Sequence, residues 1–338
     1  MQDKMPTVSI CLPTHNRVKV LPEVLRAIRE QTFTDYELII GDDCSTDGTY
    51  QYLSSIDWQG LRIVRHPRNL NLFGNLTILF SLARGKYIAI HHDGDVCFPG
   101  ALATLVNLLE NNHAAGFACS ACLVIEESGQ ERIYPLQPEM ALFPKEGVMP
   151  GPDLIKILYT RIHTPIAPSL SLWRRDIVEE AGGYRPDWGL ASDEDLYRRV
   201  ARVSGVCFHP GPLFRMARRP SDRKAILGGW RGLYTIFEFR RDTALNFCEG
   251  GIARKQWLVF RLKLLKQVAL WREALARWFW GDMEGMQNAL RPELMPSLPS
   301  GRPPLCGAEK AILRGLFMIL RWTRPLGRRI GNWRHEKG

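Results

Sequence analysis

YIAIHHDGD, residues 87–95, runs four apolar residues straight into two histidines and two carboxylates one residue apart. The apolar part reads as a buried strand, and the polar part as what that strand presents where it leaves the interior. Upstream the same cadence repeats. Thr7–Leu12 is strand-like and ends in Pro-Thr-His-Asn-Arg. A helix follows with Leu21, Val24, Leu25 and Ile28 on one face. Tyr36–Ile40 is a second strand ending in Gly41-Asp42-Asp43, Asp47-Gly48-Thr49 opens a helix, and Leu61–Val64 is a third strand before a helix over 72–83. This β-α-β-α-β-α-β order predicts an α/β fold with a mainly parallel sheet covered on both faces. Ligands in such sheets bind beyond the carboxyl ends of the strands. Three polar clusters fall there: Pro13–Arg17, Asp42–Asp47 and His91–Asp95.

Further along, the pattern predicts a helix over 99–111, strands over 116–126 and 131–134, and a Pro/Gly-rich loop from Pro135 to Pro152. Ser169–Trp173 reads as a strand, Asp193–Val203 as a helix and Val206–His209 as a short strand. Beyond Arg223 the chain reads as helical almost throughout. Residues 291–304, with five prolines, read as a linker. The expected organisation is an α/β domain over 1–217, a helical extension over 218–290, that linker, and a basic amphipathic helix over 305–338.

The chain has 338 residues, 45% of them hydrophobic and 24% charged, which suits one large or two modest globular units. Its net charge of +10 is uneven: basic residues dominate from Arg215 onward. Such a surface attracts phosphate-bearing partners, whether nucleotides, nucleic acid or anionic lipid. The eight cysteines form no framework, and Cys119-Ser-Ala-Cys122 lacks the second pair or histidines of a zinc site, so a reducing cytosol is expected. The start of the chain does not read as a signal peptide. Apolar stretches around 257–271 and 311–322 are interrupted by charges, short of the ~20 apolar residues a membrane crossing needs.

Each cluster has two readings. In an extended segment Asp93 and Asp95 would point to one side and could converge on Mg²⁺ or Mn²⁺; the ordinary alternative is a turn with Asp-Gly at its corner. Ser45 or Asp47 can cap a helix, but capping does not account for the Asp42-Asp43 pair, whose carboxylates could accept hydrogen bonds from a base or ribose. Ser192 with Asp195 resembles a capping box, against a catalytic role for the acids Asp193-Glu194-Asp195. Trp257, Phe260, Leu264, Val268, Trp271, Leu275 and Trp278 recur at helical spacing, the pattern of a helix packed through one apolar face.

The runs VSICLPTHNR (8–17), REQTFTDYELIIGDDCSTDGT (29–49) and GNLTILFSLARGKYIAIHHDGD (74–95), with Gly182-Gly183-Tyr184 and Ser192-Asp193-Glu194-Asp195, resemble the family 2 glycosyltransferases of the GT-A fold. The resemblance covers about residues 6–217 in order. It implies that Pro13, Thr14, His15 and Arg17 line a nucleotide site. It likewise implies that Asp43 bonds the base, that Asp93 and Asp95 form a DxD-like element for ribose, diphosphate and metal, and that Asp193 is the general base of an inverting transfer. Many relatives carry an acid where this chain has Gly94, which bears on the Mg²⁺ or Mn²⁺ ligand set. Arg215, Arg218 and Arg219 are candidates to clamp the diphosphate, against a solvated loop, and Trp188 is a candidate to meet the acceptor.

The expected partners are therefore a nucleotide-sugar donor and a glycan or lipid-linked acceptor of surface polysaccharide synthesis. An anionic membrane surface reached through the C-terminal helices is also expected, in a cytoplasmic protein peripheral to the membrane. Three rivals stand beside this. A sugar nucleotidyltransferase would carry a Gly-rich basic signature that CLPTHNR lacks. A nucleic-acid binder would set its basic residues among exposed aromatics on a sheet. A degenerate transferase would bind nucleotide without turnover.

Overall fold

The computed structural model describes residues 5–126, 128–161, 164–217 and 230–279. Two compact units divide the chain: Met1–Pro186 with Ser192–Pro220, and Asp187–Ala191 with Ser221–Gly338.

The first unit is built on a nine-stranded sheet. Its strands are β1 (Val8–Thr14), β2 (Tyr36–Asp42), β3 (Leu61–Arg65), β4 (Tyr87–Ile90), β5 (Asp95–Cys97), β6 (Ala115–Ile125), β7 (Glu131–Tyr134), β8 (Ser171–Arg174) and β9 (Gly205–Ala217). They lie in the order β3-β2-β1-β4-β8-β6-β9-β5, with β7 beside β6. β3, β2, β1 and β4 run parallel, as do β6 and β9; β5, β7 and β8 are antiparallel to their neighbours. Helices α1 (Leu21–Arg29), α2 (Thr49–Ser54), α3 (Asn71–Leu82) and α4 (Ala101–Asn111) follow the first strands. Farther on come α5 (Gln137–Met140), α6 (Gly151–Thr160), α7 (Arg175–Glu180) and α8 (Ser192–Val200), while the 3₁₀ turn Pro186–Ala191 before α8 falls mostly in the second unit.

Every residue of β1 is buried, as a strand covered on both faces requires. Val8, Ile10 and Leu12 join Leu38 and Ile40 in a core with the apolar faces of α1 and α4. Phe73, Leu76, Leu79 and Phe80 of α3 are buried outside that core, against β1 and β2. Ser9 and Glu37 are the polar pair buried between these strands, with Ser9 Oγ donating to Glu37 Oε1 at 2.6 Å. The Arg84 backbone N–H also donates to Glu37, and its guanidinium pairs with that carboxylate.

The short strand expected at 206–209 instead continues to Ala217, through Pro210 and Pro212. A bulge opposite Ser120 and Ala121 absorbs the extra residues: His209 faces Ser120, and Pro212 faces Ala121. Prolines, which lack an N–H for the ladder, are tolerated in a strand at such an irregularity. Arg215 therefore stands on a strand, not in a solvated loop.

The second unit contains α9 (Trp230–Phe247) and α10 (Ile252–Phe279), paired as a hairpin. Gly250, at φ +110°, makes the connection in a conformation that side-chain-bearing residues rarely adopt. The face of α10 that packs is Leu258, Leu262, Lys266 and Leu270, all buried. Lys266 Nζ bonds Glu238 Oε1 at 2.7 Å, and Arg241 pairs with the other oxygen of the same carboxylate at 2.6 Å. This corrects the expected packing stripe: Trp257, Phe260 and Leu264 are exposed. The helix is apolar on two sides, and the side that packs hides a lysine, so hydrophobic periodicity selected the other one. The side chains of Val268, Trp271, Leu275 and Trp278, the proline-rich linker and the helix at 305–338 lie outside the described residues.

Candidate active site

The parallel register sets Thr14 opposite Asp42 and Cys11 opposite Ile90, so the three polar clusters leave the sheet from neighbouring strand ends. The loops after β1 and β2 are stitched together. Asn16 N–H donates to Ser45 Oγ at 2.9 Å, and Thr46 N–H to Asn16 Oδ1 at 2.8 Å. Arg17 N–H donates to Thr49 Oγ1 and Val18 N–H to Asp47 Oδ2. Asn16 and Cys44 both hold positive φ, +55° and +60°, a conformation that asparagine tolerates and cysteine seldom takes. Asp47 accepts from the N–H and hydroxyl of Thr49, but the N-cap of α2 is Gly48, with no side-chain cap hydrogen bond, so neither Ser45 nor Asp47 caps the helix as expected.

His15 Nδ1 lies 2.7 Å from the Asp43 carbonyl. A carbonyl only accepts, so Nδ1 carries the hydrogen, and Nε2 accepts from the Asn16 side-chain amide. The imidazole is exposed beside Asp43, available to a planar ligand. The Asp43 carboxylate is buried, and its Oδ1 accepts from Leu70 N–H at 2.7 Å, just ahead of α3. Asp42 is fully buried beside Arg65.

Asp93 comes back to this cluster. Its Oδ2 accepts from His15 N–H at 3.3 Å, and its Oδ1 lies 3.4 Å from Arg17 Nε. Burial raises its carboxyl above the ordinary value, with the Arg17 guanidinium acting in the opposite direction. The structure thus brings Thr14, His15, Arg17, Asp43 and Asp93 together. The extended geometry expected for 93–95 is not what forms. Asp95 N–H bonds His92 C=O and closes a turn with Asp93-Gly94 at its corner, after which Asp95 opens β5. Strand alternation therefore does not align the two carboxylates. A side chain at Gly94 would meet open space, so packing does not demand glycine there.

Two carboxylate side chains, Asp93 and Asp95, stand at this turn, the oxygen donors that a hard divalent cation takes. Burial pushes His92 down to about 4, so its imidazole is neutral and its Nε2 has no hydrogen-bond partner. Among the described residues no three His, Cys, Asp or Glu side chains form a complete cage. Mg²⁺ needs none, because it is commonly held by one or two carboxylates together with substrate phosphates.

Asp193 stands in the first turn of α8. Tyr184 Oη donates to its Oδ1. Burial pushes the Asp193 carboxyl up to about 6; the Tyr184 bond pulls it down and the neighbouring Glu194 charge pushes it up. Tyr184 is itself held by α3: Phe73 stacks on it at 5.8 Å, Phe80 meets it edge-on at 5.3 Å, and Thr77 Oγ1 reaches its carbonyl. One helix is therefore anchored at its start by Asp43 and, through Phe73, Thr77 and Phe80 along its length, fixes the residue that holds Asp193. The sequence offered little sign of Tyr184's role beyond a hydroxyl-bearing ring close before an acidic helix start. The capping box does not form, because Asp195 pairs with Arg198 and Arg199 at 2.9 and 2.8 Å. Tyr184→Phe removes the bond that lowers the Asp193 pKa. If Asp193 is the base, the acid limb of the kcat–pH profile should move to higher pH while the donor KM stays within about twofold; an unmoved limb would show that Tyr184 only packs.

Arg215, opposite Val96 in the sheet, pairs with Glu23 of α1. Arg218 and Arg219 lie outside the described residues. Trp188 belongs to the second unit, where it is buried edge-on to Phe239 at 5.3 Å.

A Rossmann-like sheet with acidic and imidazole-bearing loops at its strand ends defines a GT-A-type domain. The chain belongs to Glycosyl transferase family 2, whose sequence profile matches residues 9–182. It is 32% identical over 146 residues to the putative glycosyltransferase EpsE of Bacillus subtilis, spanning 41% of this chain and 52% of the relative. It is 31% identical over 134 residues to a GalNAc(5)-diNAcBac-PP-undecaprenol beta-1,3-glucosyltransferase of Campylobacter jejuni, over 38% of this chain and 42% of the relative. The chain thus matches about half the length of these relatives. Among solved structures it resembles S. aureus TarS 1-349 in complex with UDP-GlcNAc, with a TM-score of 0.61 at 16% identity over 95% of this chain and 92% of that one. At that identity the likeness shows the fold alone.

Proposed function

We propose that the protein is an inverting glycosyltransferase that moves a sugar from a nucleoside-diphosphate donor to a hydroxyl of a glycan or lipid-linked acceptor in surface polysaccharide synthesis. The observation that carries this reading is Asp193: a half-buried carboxylate at a helix start, oriented by Tyr184 and more basic than an ordinary aspartate. Its proton affinity, with a pKa of about 6, suits a general base working near neutrality. Asp193 takes the acceptor hydroxyl's proton as that oxygen bonds the anomeric carbon. The bond from that carbon to the diphosphate oxygen breaks with its electron pair leaving on the diphosphate. One displacement inverts the centre.

Asp43, with Oδ1 occupied by Leu70, would offer Oδ2 to the base, and Pro13, Thr14 and His15 would flank it. Arg17 and Asp93 would meet the ribose and diphosphate. Asp93 and Asp95 would hold Mg²⁺ or Mn²⁺, which when bound offsets negative charge on the diphosphate. Arg215, Arg218 and Arg219 remain candidates for the same charge, and Trp188 for the acceptor. The undecaprenol-linked substrate in the Campylobacter relative's name supports a lipid-linked acceptor and peripheral placement on the cytoplasmic membrane face. The domain division proposed is a donor-binding domain over 1–217 followed by the helical extension.

A thermal-shift panel of UDP, GDP, dTDP, CDP and ADP, each with and without Mg²⁺ or Mn²⁺, tests the donor site. One nucleotide at a hundred times its Kd should add about 2.7 kcal/mol of stability. The gain should shrink in Asp43→Ala and, for the metal-dependent part, in Asp95→Ala. No stabilisation by any nucleotide would refute the donor site.

A further inference from the structure

We infer that the exposed face of α10 docks the protein on an anionic lipid bilayer. Ile252, Trp257, Phe260 and Leu264 are 76%, 58%, 64% and 53% exposed, a large apolar surface for one helix to leave in water. At 100° per residue Phe260, Leu264 and Trp257 fall within one narrow stripe opposite the buried Leu258–Leu262–Lys266 face. Arg254 and Arg261 border it on one side and Lys263 on the other. Arg261 lies over the Trp257 ring at 5.7 Å. From Gly250 to Arg272 the sequence has no acidic residue. An aromatic and aliphatic stripe bordered by cations is the pattern of a helix lying in a bilayer interface, rings among the acyl chains and cations at the headgroups. A pocket of about 290 Å³ continues the stripe, lined by Leu245, Ile252, Val259 and Phe260 with Lys255 and Lys263.

Charge selects this occupant over the others. A second copy would set one basic face against another. Residues 305–338 are also basic, with Lys310, Arg314, Arg321, Arg324, Arg328, Arg329, Arg334 and Lys337 against Glu309 and Glu336. Either would add like-charge repulsion to the contact. Among the described residues no helix is long and apolar enough to cross a membrane, so this surface would lie on the bilayer. The proposal deepens the membrane-side acceptor reading and rests on it for its purpose, but it is read from the helix alone.

The test is flotation of the full chain with phosphatidylcholine vesicles containing phosphatidylglycerol, against phosphatidylcholine alone, at low and high salt. Binding should require the anionic lipid and weaken with salt. It should fall at least tenfold in Trp257→Ser/Phe260→Ser and severalfold in Arg254→Gln/Lys263→Gln, with unchanged melting temperatures because these side chains are mostly on the surface. Undiminished binding by the serine variant would assign any membrane contact to the basic C-terminal segment and overturn the proposal. So would equal binding to neutral vesicles, or a dimer that the serine variant dissociates. Vesicle binding without nucleotide stabilisation would sink the donor site and leave the docking face standing; the reverse outcome would do the opposite.

Discussion

Asp193→Asn should lower kcat by about 10²–10⁴-fold, the range a general base contributes, while the protein becomes more stable. Both effects come from one carboxylate, whose desolvation raises its pKa. Asp193 holds its proton more tightly in the folded protein, with a pKa of about 6, than its ordinary value of 3.8. Folding is therefore unpenalised below the unfolded value, loses stability as the pH rises through that interval, and carries the full cost above pH 6. Asparagine keeps an oxygen for the Tyr184 hydroxyl and has no charge to bury. The gain at pH 8 should be on the order of 1–3 kcal/mol, disappearing below pH 4. Urea melts at the two pH values, with single-turnover rates, separate this from unfolding. A variant that loses activity and stability together would argue for a structural acid. Retained turnover would remove Asp193 from the chemistry.

The second large effect is in the frame that carries the site. Gly41, one residue before Asp42, has the side chain of Asn75 against it: a Cβ there would stand 1.9 Å from Asn75 Oδ1. Asn75 cannot swing away cheaply, because it is buried, donates to Gly41 C=O at 2.7 Å and has Oδ1 2.9 Å from His66 Nε2. Gly41→Ala must therefore break these bonds inside the protein or push α3 off β2. Overpacking costs about 1–3 kcal/mol, and each buried polar group left unpaired a further 1–3. A loss of about 3 kcal/mol or more is expected in denaturant melts. Nucleotide stabilisation should fall with it, because the displaced α3 is the helix whose start Asp43 holds. A melting temperature within a degree of the parent protein would show that the β2–α3 contact is slack.

Local sequence carried the alternation of strand and helix through residue 90, because burial on two faces of a strand and one face of a helix leaves different apolar periods; the short strand β5 was not legible in it. It also located the acidic and imidazole-bearing clusters at strand ends, because charged side chains cannot follow a strand into the core unpaired. From these alone the α/β class and the neighbourhood of a ligand site could be read. What it could not choose was partners. Asp43 with Leu70, Asp93 with Arg17, and Tyr184 with Asp193 join residues 27, 76 and 9 apart in the chain, by contacts that exist only once the sheet has closed. The same limit hid the bulge that lets β9 pass through two prolines, since only the facing strand can supply the slack. It also hid which side of α10 packs. A lysine reads as a surface residue until a glutamate on another helix meets it, so Lys266 concealed the buried face and left Trp257, Phe260 and Leu264 looking like the core. Periodicity records that a face is apolar; only tertiary structure decides whether protein or solvent lies against it.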